Sequence, residues 1–176
     1  MDHSLNVCLC NKCDHEHNLS RCPCDGCDQI RNLRALSVKE NWIYLAGIID
    51  GEGSIGIEHL APDNKSRKKD YYVCRLTVVN TSLELMNELK FVFGGQFDKR
   101  KDIEGRKKCY RWHIFGKDLE AALRFIKPYL LIKRKQADVV LEYRKTVGKT
   151  GWNVSDAVLQ KRKELWLRCK ELNRLG

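Results

Sequence analysis

The chain predicts an α+β fold of order α-β-β-α-β-β-α, an antiparallel sheet with helices on one face, carrying a small Cys-rich head and a C-terminal helix. Three observations predict it. Apolar residues switch between helical spacing and strict alternation across residues 37–147, with turn residues at each change of period. Two strand-like runs end in polar or glycine-bearing segments that suit hairpins. Six of the nine cysteines fall between positions 8 and 27, which sets residues 1–36 apart from the body, and residues 148–176 follow it as a separate helical extension.

The head repeats one unit, C-x-C-x-x-C, as Cys8, Cys10, Cys13 and then Cys22, Cys24, Cys27, with His15 and His17 between. A two-residue gap lets both thiolates of a pair reach one ion, so Cys10 with Cys13 and Cys24 with Cys27 form a zinc site of ribbon or knuckle type. Cys8, Cys22, His15 and His17 offer ligands for a second structural Zn²⁺. An iron–sulfur cluster could use the same thiolates, and a disulfide framework would need an oxidising compartment that nothing in the sequence suggests. With few large apolar residues, the segment depends on metal for its folding energy.

Ser37 and Glu40 form a capping box for a helix whose apolar side includes Trp42, Leu45, Ala46 and Ile49. Gly47 and Gly51 lie four apart on one face of that helix. Each glycine there costs about 1 kcal/mol relative to alanine, and close approach of a second backbone is the evident reason for two. Asp50 and Glu52 stand where the helix ends at Gly53, although the helix dipole disfavours carboxylates at that end. Residues 54–59 alternate as a half-buried strand, and residues 61–70 form a loop whose Lys65, Arg67, Lys68 and Lys69 make a positive tip.

Tyr71 to Asn80 reads as the second strand, with Tyr72, Cys74, Leu76 and Val78 inward and Arg75 and Thr77 outward. Thr81 or Ser82 caps the next helix, which carries Leu85, Met86, Leu89 and Val92 inward and stops at Gly94-Gly95. A second hairpin places Phe97 on one arm and Tyr110, Trp112 and Ile114 on the other, around a charged loop. Alternation puts Gln96, Asp98, Arg100, Arg111 and His113 on the face away from the core. Helix 117–126 leads to Pro128, another helix runs from near Lys133 through Tyr143, and a last one follows Ser155 with Val158, Leu165, Cys169 and Leu172 in a stripe.

The stretch Leu45-Ala-Gly-Ile-Ile-Asp-Gly-Glu-Gly53 resembles the LAGLIDADG motif of homing endonucleases, identical at six of nine positions and keeping a carboxylate at Glu52. The LTVVN strand end, the Gly94-Gly95 turn and Pro128 to Gln136 are similar to their counterparts, so the likeness spans roughly residues 40–145. It implies hydrolysis of double-stranded DNA, with Glu52 binding catalytic Mg²⁺. It implies further that motif helices of two subunits pack through Ala46, Gly47, Asp50 and Gly51, because one motif copy builds only half a site. Two carboxylates about 6 Å apart repel by roughly 3 kcal/mol at an effective dielectric near 20, so such a centre would be stabilised by metal. Asp50 ranks second, at a position that in the family supports the helix end and the interface rather than binding the metal directly, Lys133 matches a basic residue near the reacting phosphate, and Asn80 matches a polar position that orders solvent.

The resemblance also makes the outer sheet face a DNA-binding saddle. Arg75, Thr77, Arg100, Arg111 and His113 fall there as candidate base contacts, with Lys68 and Lys69 suited to phosphates. A homodimer implies a pseudo-palindromic site. The formal charge of +10 and pI near 9.2 favour a polyanionic partner independently of the motif. No apolar run reaches the ~20 residues of a membrane span and no secretory signal is evident, so an intracellular protein is expected. A non-cleaving splicing factor or regulator on the same fold is the alternative, as is a head that carries the function itself; the carboxylate of Glu52 favours cleavage over both.

Overall fold

The computed structural model describes residues 38–63, 69–100, 107–148 and 154–175. Ser37, the predicted cap, and the head with its cysteines and histidines lie outside the described residues, as do Lys65, Arg67 and Lys68. The elements run α1 (Val38–Glu52), β1 (Gly53–Leu60), β2 (Tyr71–Asn80), α2 (Leu83–Phe93), β3 (Gln96–Lys99), β4 (Tyr110–Phe115), α3 (Gly116–Ile126), a 3-10 turn (Lys127–Tyr129), α4 (Arg134–Lys145) and α5 (Asp156–Leu175). The strands form one antiparallel sheet in the order β1-β2-β4-β3.

Alternation sorts the strands as expected. Ile55 and Ile57 of β1, Tyr72, Cys74, Leu76 and Val78 of β2, and Trp112 and Ile114 of β4 are buried together under the helices. The register pairs Ile55 with Leu76 and Val78 with Trp112, so these side chains share one face. Burial pushes the Cys74 thiol up to about 11, which makes it an inert core group. Of the two candidate caps, Ser82 begins α2, its Oγ accepting from the Leu85 N–H at 3.1 Å. Gly94 ends the helix at φ 74°, its N–H bonding the Lys90 carbonyl. Gly95, at φ 78°, has no room for a side chain, since a Cβ would stand 2.5 Å from the His113 carbonyl oxygen.

β1 is an edge strand, and α5 covers it. Asn173 Nδ2 donates to the Ile55 carbonyl at 3.1 Å, while Leu165 and Cys169 are buried. Arg162 is 7% exposed and donates to both the carbonyl and the hydroxyl of Thr146 at the end of α4, lying over the Tyr143 ring. Tyr143 in turn donates from its hydroxyl to the Tyr72 carbonyl of β2. The basic run Lys161 to Lys163 therefore divides: Arg162 is a buried cap, and Lys161 pairs with Glu142 at 2.9 Å. The predicted C-terminal helix thus packs on its own body.

Candidate active site and nucleic-acid face

The end of α1 places its two acids in opposite environments. Leu45, Ala46 and Ile49 are buried, and Asp50, on the same side, is 9% exposed. Its carboxylate accepts three backbone N–H groups, from Leu131 at 2.7 Å, Ile132 at 3.2 Å and Lys133 at 2.9 Å. These are the residues that lead into α4, whose N-terminal dipole favours an anion there. The carboxylate that looks misplaced at the end of α1 is the anionic cap of α4. Lys133 closes the junction from the other side, its Nζ donating to the Asp50 carbonyl.

Glu52 is exposed and makes no hydrogen bond or ion pair among the described residues. The chain enters β1 immediately afterwards through Gly53, where a Cβ would stand 2.6 Å from the Ile49 carbonyl oxygen, so the last residue of the motif has to be glycine. Glu52 is held by a helix and a strand on either side, and no side chain among the described residues engages its carboxylate. A hard cation takes such oxygen donors. Among the described residues no three His, Cys, Asp or Glu side chains converge as a metal site.

The predicted interface residues separate in the same way. Ala46 is fully buried and Asp50 is committed to its own α4, so neither has surface left for a second chain. Gly47 and Gly51 are exposed, and a Cβ at either would meet nothing within 4 Å. Tyr44, Gly47, Ile48 and Gly51 recur at helical spacing along this open side, with Tyr44 42% exposed. Nothing among the described residues calls for glycine at 47 or 51. Asn80, at the β2 end, uses its Oδ1 locally, accepting from the Ser82 N–H at 2.9 Å, which is the turn-forming role of asparagine.

The register builds the outer sheet face. Ser54 pairs with Thr77, Gly56 with Arg75, Arg75 with Phe115, Thr77 with His113, Gln96 with His113, and Asp98 with Arg111, all away from the core. Arg75, Thr77, Arg111 and His113 therefore share one face, as predicted; Arg100, also exposed, follows β3 and bonds its N–H to the Cys109 carbonyl. Two acids stand among them. Glu58 lies 3.1 Å from Arg75 Nη1, and Asp98 lies 3.1 Å from Arg111 Nη2. Such half-exposed pairs contribute at most about 1 kcal/mol to stability. Lys69 pairs with Asp156 at the start of α5. The resemblance implied a supporting role for Asp50 at the helix end, but not its partners, and sequence alone missed the pairing of Asp98; alternation placed Asp98 on the face, and its position beside two candidate base readers was the available signal.

The LAGLIDADG endonuclease family model matches residues 45–147, well over half the chain. No curated protein matches it. Among solved structures, the homing endonuclease I-CvuI, in complex with the I-CreI target, is 25% identical with a TM-score of 0.64, over 76% of this chain and 82% of that one. The archaeal intron-encoded homing endonuclease I-Vdi141I, complexed with DNA, is 14% identical with a TM-score of 0.65, over 77% and 86%. The homing endonuclease I-TnaI is 17% identical with a TM-score of 0.59, over 76% and 93%. The last two are likenesses of fold. The chain belongs to the LAGLIDADG endonuclease family, and its function is that of a site-specific DNA endonuclease.

Proposed function

We propose that this endonuclease cuts both strands of a pseudo-palindromic duplex as a homodimer, with Glu52 of each subunit as the carboxylate ligand of Mg²⁺. The observation that carries this is the contrast at the helix end: Asp50 is saturated by three N–H groups, whereas Glu52 is exposed and unpartnered among the described residues. When bound, the cation supplies Lewis-acid stabilisation of charge on the phosphate and a more acidic bound water. Lys133, fixed against the Asp50 carbonyl, adds positive charge to the same helix end, where negative charge grows on the phosphate in the transition state. Asp50 acts through others: it sets the turn from which Lys133 projects. Asn80, with its oxygen engaged by Ser82, serves as a solvent-ordering group through its amide nitrogen.

At this helix end the described residues of one chain offer one unpartnered carboxylate, so a second copy completes the site. It docks on the open side of α1, where Gly47 and Gly51 allow the backbones to approach. Arg75, Thr77, Arg100, Arg111 and His113 face the major groove, and Lys68 and Lys69 the phosphates. Structural zinc in the 1–36 head rests on the repeated C-x-C-x-x-C units, Cys8, Cys10, Cys13, Cys22, Cys24 and Cys27 with His15 and His17. Metal analysis of the purified chain should find one or two zinc ions, and fewer in a Cys24→Ser, Cys27→Ser variant. The test of the function is Mg²⁺-dependent cleavage of a duplex DNA library. Glu52→Gln should lose cleavage by about 100-fold or more while still binding, because it removes charge stabilisation worth several kcal/mol. Cleavage by that variant at the parental rate would refute the assignment of Glu52.

A further inference from the structure

Asp98 is an acid on the outer sheet face, which the proposed function sets against DNA, in a chain of formal charge +10. It repels phosphates, and its ion pair is too exposed to hold the fold: Arg111 and Asp98 are 47% and 44% exposed. Its geometry gives it another task. Asp98 Oδ2 accepts from Arg111 Nη2 at 3.1 Å, directly across the β3–β4 ladder, while Oδ1 faces His113 Nδ1 at 3.7 Å. Each oxygen stands against a different candidate base reader.

We propose that Asp98 is a specificity-determining positioning residue, which holds the Arg111 guanidinium in one orientation so that its remaining donors bind guanine O6 and N7 in the major groove. The inference rests on the proposal that the outer sheet face contacts DNA. Arg111 has five N–H donors in a fixed fork, and Asp98 engages one nitrogen, leaving donors for a bidentate contact. A free arginine would sample many rotamers and meet any nearby phosphate; the carboxylate restricts it and disfavours phosphate at the same point. Arg75 with Glu58 is the instructive contrast. Arg75 Nε is buried without a hydrogen-bond partner, so that side chain lies against the face and has fewer donors to offer.

Residues two apart on a strand are about 7 Å apart, close to two base-pair steps of about 3.4 Å each. Arg111 and His113 therefore address bases about two steps apart where β4 follows the groove.

The test selects binding sites from a randomised duplex DNA library with the full-length chain, as wild type, Asp98→Asn, Arg111→Ala and the double variant. Thermal unfolding of each confirms that the fold persists. Wild type should select guanine at one position of each half-site, and Arg111→Ala should abolish that selection. Asp98→Asn should weaken the same preference by about five- to tenfold, part of the discrimination one bidentate contact supplies, and change no other position. In the Arg111→Ala background it should leave every base preference unchanged. A uniform gain in affinity with no change in base preference would reduce Asp98 to a repulsive charge and overturn the proposal. So would a change in base preference that survives in the Arg111→Ala background, which would make Asp98 a direct reader of cytosine. If wild type selects no sequence at all, the DNA contact of the face fails, and the inference with it.

Discussion

Asp50 and Asp98 are both carboxylates that accept hydrogen bonds across tertiary contacts, and their surroundings give them opposite roles. At the junction of α1 and α4, Asp50 is nearly buried and takes three backbone N–H groups that no side-chain motion can withdraw. On the open face of the sheet, Asp98 is half exposed and takes a guanidinium at the end of a flexible arm. The first carboxylate fixes where an element lies; the second orients a side chain that serves an external partner. Burial and the identity of the donor, rather than charge, separate architecture from recognition.

Substitutions should reproduce this division in their energies. Asp50→Ala leaves three N–H groups without their charged acceptor and should lower stability by about 3–5 kcal/mol, measured by denaturant unfolding; a loss under about 1 kcal/mol would mean that α4 is positioned by packing alone. Leu165→Ala, at a buried position under α5, should cost about 2–3 kcal/mol by the same measurement if that helix seals the β1 edge. Tyr143→Phe removes the bond to the Tyr72 carbonyl and should cost about 1 kcal/mol near neutral pH.

The same variant sharpens the comparison at high pH. Burial pushes the Tyr143 phenol up to about 12, from an ordinary value near 10. A group whose folded pKa is raised contributes stability that is fully present below its unfolded pKa and is lost as pH rises through the folded one. The melting temperature should therefore fall between pH of about 10 and 12, and part of that dependence should vanish in Tyr143→Phe. The smallest effect belongs to Asp98→Asn, which should move stability by less than about 1 kcal/mol; a larger loss would make that pair architectural too.

The elements were legible because their signals are local. Alternation in Tyr71–Asn80, the Ser82 cap and the paired glycines at 94 and 95 act within a few residues, and each lies where the periodicity places it. The exposed position of Glu52 at the end of α1 was legible for the same reason, since the motif around it is contiguous. The partners of Asp50 were not, because Leu131, Ile132 and Lys133 lie more than eighty residues away. Nor was the role of Asn173 on the Ile55 carbonyl, which depends on α5 folding back to β1. Alternation reports which face a residue takes, and only the tertiary fold reports what stands opposite.

The most direct test of the account is to compare Glu52→Gln with Asp50→Asn in two assays, thermal unfolding and Mg²⁺-dependent cleavage of a selected duplex. Glu52→Gln should keep the parental melting temperature and lose cleavage, while Asp50→Asn should melt several degrees lower, at about 2–4 °C for each kcal/mol lost in a chain of this size. A Glu52→Gln protein that still cuts, or an Asp50→Asn protein as stable as the parent, would contradict the division between the two acids.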